Sequence, residues 1–244
     1  MKRVGVIGCG AIGTIIAEAF ERRTLACDEL VLYDYELERA EKLKSQLHFP
    51  ARVVLSLDEM LQLKPKVIVE AASQQAAREY VPRIIAQGIN VIVMSTGALL
   101  GLNLQTSRVH VPSGAIGGLD ALSAAGLAGV DEVVLTTRKN PKSLDVTFAA
   151  ETVVYEGNAE EAARRFPREM NVAATLALTV KPTRVKVRVV SDPFVHRNTH
   201  EINVKWRFGE IFLRFANDPH PDNTRTSALA AWSAISLLRK LLEK

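Results

Sequence analysis

Thiols are scarce: Cys9 and Cys27 are the only two cysteines in 244 residues. Two cysteines do not make a disulfide framework, and Cys9 falls inside a glycine turn, so a reducing, cytoplasmic setting is expected. No stretch has the length and apolarity of a membrane span, and Met1-Lys2-Arg3 leads straight into an apolar run without a signal-type segment. No membrane partner is expected. An excess of one charge is also lacking, since 31 Lys+Arg against 27 Asp+Glu leave a formal +4. No basic run with interleaved aromatics accompanies that excess, which argues against nucleic acid as a partner, whereas a modest positive charge suits acidic small molecules. Low-complexity segments and repeats of solenoid period are missing too. What is present, 48% apolar and 24% charged residues, fits a soluble globular chain able to bury a substantial core in one or two domains.

The stretch from Val4 to Asp34 organises the rest. An apolar run, Val4-Gly5-Val6-Ile7, meets Gly8-Cys9-Gly10-Ala11-Ile12-Gly13, continues into Thr14-Ile15-Ile16-Ala17-Glu18-Ala19-Phe20, and returns as Leu30-Val31-Leu32-Tyr33 ending at Asp34. The order is strand, glycine turn, helix, strand, acid. Gly8 permits the tight turn, Gly10 lets backbone approach a pyrophosphate, and Gly13 lets the helix lie close on the sheet. The helix start, at Ala11 and Ile12, offers unpaired N–H groups and the positive end of the helix dipole to phosphates. Asp34, about 20 residues beyond the glycines, is placed to accept the ribose hydroxyls. A glycine triplet alone would be weak, but the flanking strand, helix and acid all agree on dinucleotide binding. Neither Tyr35 nor Glu36 after the acid is an arginine, so NAD is the expected cofactor, with NADP open as a second one.

Further along, Leu37–Leu47 reads as an amphipathic helix, Ala51–Val54 as a short strand, and Ser56 with Glu59 as the cap of a short helix. Lys66–Glu70 is a strand apolar enough for burial on both faces, and the small residues Ala71, Ala72 and Ser73 after it leave room for a cofactor. Gln75–Gln87 is a helix that Pro82 should kink or bound, followed by a strand at Asn90–Met94 and a possible sixth at Val109–Pro112. This alternation predicts an α/β fold: a Rossmann-type, doubly wound parallel sheet over 1–112, with its ligand crevice at the carboxyl ends of the strands. Beyond Pro112 the pattern becomes runs of strands, with strands expected at 132–138, 147–155, 184–190, 201–208 and 210–215 and helices at 119–125, 160–166 and 171–178. That predicts a second, smaller α+β domain over 113–224 on an open sheet, with a last amphipathic helix, about 225–244, packing back on the first domain.

Five segments between 112 and 202 carry a resemblance: Pro112-Ser113-Gly114-Ala115-Ile116-Gly117-Gly118-Leu119-Asp120, Thr136-Thr137-Arg138-Lys139, Phe166-Pro167, Asn171-Val172-Ala173-Ala174-Thr175, and Asn198-Thr199-His200-Glu201-Ile202. In this order behind a dinucleotide fingerprint, the chain resembles the L-aspartate dehydrogenase family over nearly its whole length. The first and fourth segments are specific; the last alone would not be. The resemblance implies oxidation of L-aspartate by NAD(P)+ to iminoaspartate, which hydrolyses to oxaloacetate and ammonia or passes toward NAD biosynthesis. It implies a second domain that is catalytic and forms a homodimer, His200 as the active-site histidine, and cofactor contacts at Ala115 and Asn171. The chain is shorter than the family pattern between Gly101 and Val109 and between Lys139 and Val146.

Chemistry gives His200 a task. Oxidising an amine requires loss of a proton from the ammonium, and an imidazole titrating near neutrality can take it or activate water against the imine. For that the imidazole must reach the nicotinamide rather than be locked in a dry core. Without the resemblance, His200 reads more readily as a structural, hydrogen-bonding residue at a strand start. His196 and His200 are four apart, but Arg197 to Thr199 fill the gap where a helical zinc motif holds its glutamate, and Asp192-Pro193 argues for a loop. No metal is expected. Glu70, at a strand end, is a candidate for the substrate ammonium or for orienting His200, with a strand-end cap as the competing role. Ser113, Arg138, Lys139 and Arg225 are candidates for the substrate carboxylates. Asp120, Thr137 and Asn198 are supporting or structural. Rival readings are a homoserine dehydrogenase-like or dihydrodipicolinate reductase-like enzyme, or a non-catalytic NAD(H)-binding redox sensor.

Overall fold

A computed structural model describes residues 1–102, 104, 106–167, 170–220 and 223–243, with backbone alone at 219–220 and 223–226. The chain divides into two compact units, Met1–Pro112 with Ala231–Lys244, and Ser113–Ala230.

The first unit alternates β1 (Arg3–Ile7), α1 (Ala11–Glu21), β2 (Glu29–Tyr33), α2 (Leu37–Ser45), β3 (Ala51–Val53), α3 (Leu57–Gln62), β4 (Val67–Glu70), α4 (Gln74–Ala86), β5 (Asn90–Val93) and β6 (Val109–His110). All strand pairs are parallel, in the order β3-β2-β1-β4-β5-β6. The order reverses direction between β1 and β4, which opens a crevice at their carboxyl ends. The central strands lie between helices on both sides, so their side chains are uniformly apolar: Val4, Val6, Leu30, Val31, Leu32, Val67, Ile68 and Val69 are fully buried. In α1 the buried positions Gly13, Ile16, Ala17 and Phe20 repeat at helical spacing, which fixes the face it turns to the sheet. Ser56 caps α3, accepting from Glu59 N at 3.2 Å, and the Glu59 carboxylate reaches back to Leu55 N at 2.9 Å. Of the two roles expected of Pro82, it does not bound the helix: α4 continues through it.

The second unit contains α5 (Leu119–Ala128), β7 (Val130–Lys139), β8 (Thr152–Asn158), α6 (Ala159–Arg165), α7 (Asn171–Thr179), β9 (Val185–Ser191), β10 (Asn198–Trp206), β11 (Gly209–Asn217), and a small pair, β12 (Pro219–His220) with β13 (Asn223–Ser227). Its five-stranded sheet has the order β11-β10-β7-β9-β8, with β7 and β9 parallel and the other pairs antiparallel. Helices α5, α6 and α7 pack against β9 and β10. Beneath them lie Val133, Leu135, Val185, Val187, Ile202 and Val204, each at most 1% exposed.

Two strand starts differ from the sequence reading by three residues or more. β8 starts at Thr152 rather than Thr147. β10 begins at Asn198, three residues before Glu201, so His200 sits within the strand with β7 and β11 on either side. The inward positions at that end, Asn198 and His200, are polar, which hides the apolar alternation by which strands are recognised. The last helix, α8 (Ala228–Glu243), buries Ala231, Ala234, Ile235, Leu238, Leu241 and Leu242 and belongs, from Ala231, to the first unit. Lys2 Nζ and Lys66 Nζ donate to Leu242 O at 2.6 and 3.3 Å.

Candidate active site

The crevice of the first unit is an open cleft of about 240 Å³ lined by Gly8, Gly10, Tyr33, Asp34, Tyr35, Arg39, Ala72, Ser73 and Tyr80, among others. It brings together five of the residues expected to touch a dinucleotide. Gly8 has φ +94°, and a Cβ there would lie 2.6 Å from Ala71 O; one on Gly13 would lie 2.0 Å from Gly8 O, so the glycine spacing sets the helix directly on the turn. At Gly10 a Cβ would meet nothing within 4 Å, which leaves open space beside the turn. No side chain caps α1 at Gly10, whereas Ser56, Ser73 and Asn158 cap α3, α4 and α6. The first N–H groups of α1, at Ala11 and Ile12, therefore remain for an anion. Asp34 Oδ2 accepts from Cys9 N at 2.7 Å and Oδ1 from Glu36 N at 2.9 Å, which orients the carboxylate and leaves lone pairs for ribose hydroxyls. These features fit an adenine dinucleotide. Burial, aided by the Asp34 charge, pushes the Cys9 thiol up to about 12, so it stays protonated.

Two cleft residues escaped the sequence reading. The first turn of α2 brings Arg39 into the cleft, where it pairs with Glu36 at 2.9 Å, so an arginine does stand near the ribose acid. Tyr80 comes from α4, its hydroxyl 3.3 Å from that of Tyr33. Arg39 was in principle detectable, because it lies just beyond the acid on a helix predicted to start at Leu37.

Glu70 takes the competing role. Fully buried, it accepts from Ala72 N, Ser73 N, Ser95 N and Ser95 Oγ at 2.9 to 3.1 Å. Burial pushes its carboxyl up, opposed by those donors. Its oxygens bind the loops after β4 and β5, and thereby shape the floor of the cleft, instead of being held out to a substrate.

In the second unit, His200 lies opposite Thr137 across β10 and β7, and Nδ1 is 3.1 Å from Thr137 Oγ1. Lys139 stands two residues on from Thr137 and is paired with Ser191 of β9, so the four side chains share one sheet face. His200 and Lys139 are each 2% exposed, Thr137 1%, Asn198 1% and Ser191 0%. His200 is thus buried, but at the polar end of a face that is otherwise aliphatic. It does not titrate near neutrality as expected: burial, reinforced by the Lys139 charge, pushes it down to about 3, so the imidazole is neutral.

Arg138 points to the opposite face, where it is paired with Glu151 at 2.7 Å and Asp192 at 2.8 Å, and so is already satisfied by carboxylates. Arg225 lies in β13, and its side chain falls outside the described residues. Ser113 begins the turn leading to α5, and Ala115, 6% exposed, accepts from Asn217 Nδ2 at 2.9 Å, which ties that turn to the His200 end of β11. Asn171 opens α7. His196 is exposed in the loop before β10, so it does not share a site with His200, and among the described residues no group of three His, Cys, Asp or Glu could hold a metal. No helix is long and apolar enough to cross a membrane among the described residues.

Comparison with known proteins agrees with both halves. The profile "Homoserine dehydrogenase, NAD binding domain" matches residues 8–108, and "Aspartate dehydrogenase, C-terminal" matches residues 120–241. The L-aspartate dehydrogenase of Methanothermobacter thermautotrophicus is 41% identical, covering 100% of this chain and 97% of its own length. That of Archaeoglobus fulgidus is also 41% identical, over 98% of each chain. Among solved structures, aspartate dehydrogenase from Thermotoga maritima superposes with a TM-score of 0.77 at 30% identity, over 99% of this chain and 97% of that one. A myo-inositol dehydrogenase from Lactobacillus casei in complex with NAD(H) and myo-inositol, TM-score 0.60 at 12% identity, shares the fold alone. An NAD-binding Rossmann unit followed by this second unit, with full-length relatives at such identity, places the chain in the L-aspartate dehydrogenase family.

Proposed function

We propose that this protein is an NAD-dependent L-aspartate dehydrogenase: L-aspartate and NAD+ give iminoaspartate, NADH and a proton, and water then converts the imine to oxaloacetate and ammonia. When bound, NAD+ supplies the hydride acceptor. The observation that carries the reading is a neutral histidine on a polar patch of the second unit, at the position where the family places its active-site histidine. With Nδ1–H donating to Thr137 Oγ1, Nε2 keeps its lone pair and accepts the proton that the substrate ammonium must lose. Thr137 fixes the orientation of the ring. A pKa near 3 makes a weak base; burial is the larger cause and the Lys139 charge the smaller, and a substrate carboxylate beside Lys139 offsets the second, which raises the basicity of the imidazole in part.

Asp34 and the N–H groups of α1 hold the ribose and the pyrophosphate, and Ala72, Ser73, Ala115 and Asn171 are the further cofactor contacts in this reading. Lys139 and the backbone at Ser113 are the substrate-side cation and donor. NADP as a second cofactor, a homodimer, a cytoplasmic location and a supply of imine to NAD biosynthesis complete the proposal. The test is absorbance at the reduced-nicotinamide band with NAD+ and a panel of L-amino acids. Aspartate should be the preferred substrate, and His200→Ala should retain NAD binding while losing at least about a hundredfold in rate. Full activity in that variant would refute the assignment.

A further inference from the structure

Ser191 ends β9 fully buried, and its Oγ is the single buried side-chain N or O atom among the described residues without a hydrogen-bond partner. Such an orphan carries an uncompensated desolvation cost, and a serine does not need to be there for packing: alanine or valine would fill the end of an aliphatic face as well. Its position is informative. The β7–β9 register sets it beside Lys139, and the β7–β10 register sets Thr137, two residues away, opposite His200. The backbone around it is already paired, with Asp192 N donating to Lys139 O at 2.9 Å. What is left is a hydroxyl donor on the residue paired in register with Lys139, on the same sheet face as the His200 imidazole.

We propose that Ser191 and Lys139 together form a carboxylate subsite, which holds one end of a dicarboxylic substrate on the His200 face of the second unit. The proposal rests on the aspartate dehydrogenase reading and names the group that makes it selective for a dicarboxylate. The chemistry follows from the donor set. A carboxylate accepts the Ser191 hydroxyl and places its charge against Lys139, so the orphan is satisfied only when substrate is present. A monocarboxylic amino acid that leaves this subsite empty keeps the orphan unpaired and so binds less well.

Thermal denaturation and calorimetric titration with succinate, a dicarboxylate that lacks the reacting amine, test this in the presence of NAD+. Ser191→Ala should leave the unliganded midpoint unchanged or slightly higher, because it removes an unpaired buried group. It should weaken succinate about tenfold, the usual worth of a hydrogen bond to a charged group, with NAD+ affinity unchanged. Lys139→Met should weaken succinate further. Succinate affinity in Ser191→Ala within twofold of the parent would overturn the proposal, as would a midpoint several degrees lower, which would reveal a structural, water-bridged hydroxyl. The two readings fail separately: aspartate turnover with Ser191-independent succinate binding sinks the subsite alone, whereas Ser191-dependent succinate binding without turnover of aspartate sinks the dehydrogenase reading alone.

Discussion

His200 is set by its neighbours more than by its own chemistry. The unfolded imidazole takes up a proton below about 6.5, the folded one only near 3. Between those values the unfolded state binds one more proton, so stability falls as the pH drops through that window. Glu70 works in the opposite sense just above 4.5, because burial lets the folded carboxyl keep a proton that the unfolded one releases. The thermal midpoint of the parent should therefore fall between pH 6.5 and pH 5 more steeply than that of His200→Asn; parallel curves would remove the buried neutral imidazole from the account. Asp34 and Arg39 make a second residue-scale prediction. Asp34→Ala should weaken NAD+ about tenfold and NADP+ less, since only NAD presents a free 2′-hydroxyl to the acid. Removing the Glu36 partner with Glu36→Gln should free Arg39 toward a 2′-phosphate and improve NADP+ affinity. Equal changes for both cofactors, by titration of protein fluorescence, would count against this.

Elements differ in how openly the sequence declared them. β1, β2, β4 and β5 were legible as continuous apolar runs because both of their faces are covered, and α1 was legible from its glycines and its apolar stripe. The nucleotide cleft followed from them, apart from Arg39 and Tyr80, which come from the following helices. β10 was the hard case, since Asn198 and His200 occupy inward positions normally given to aliphatic residues. Polar residues there broke the pattern that marks strands. For the same reason Ser191 gave no signal: a lone serine at a strand end looks like a turn residue until the register of β7 and β9 is known. α4 shows tertiary packing overriding a local rule, with Val81 and Ile84 fully buried on either side of Pro82. Pro82→Ala should restore an N–H in the helix interior and stabilise the protein by roughly 1 to 3 kcal/mol. An unchanged or lower denaturation midpoint would mean that the ring is needed where it packs.

At the scale of the molecule, the two units present different chemistry. One offers uncapped N–H groups and an oriented acid, the other a neutral imidazole among hydroxyls and a buried ammonium. Their folding is less separable than their chemistry, because α8 carries six buried aliphatic side chains that complete the first unit from the far side of the second in sequence. Deleting residues 231–244 should strip those side chains from the Rossmann core, lower its denaturation midpoint by well over ten degrees and abolish NAD+ binding. A truncated protein that still bound NAD+ with parental affinity would show the helix to be an accessory.

The two lysine ammonium groups on the Leu242 carbonyl have a consequence during synthesis. Lys2 is made 240 residues before Leu242, so the nucleotide-binding half waits, one helix short, until α8 has been synthesised. Termination ahead of residue 231 thus denies closure to a half made long before it.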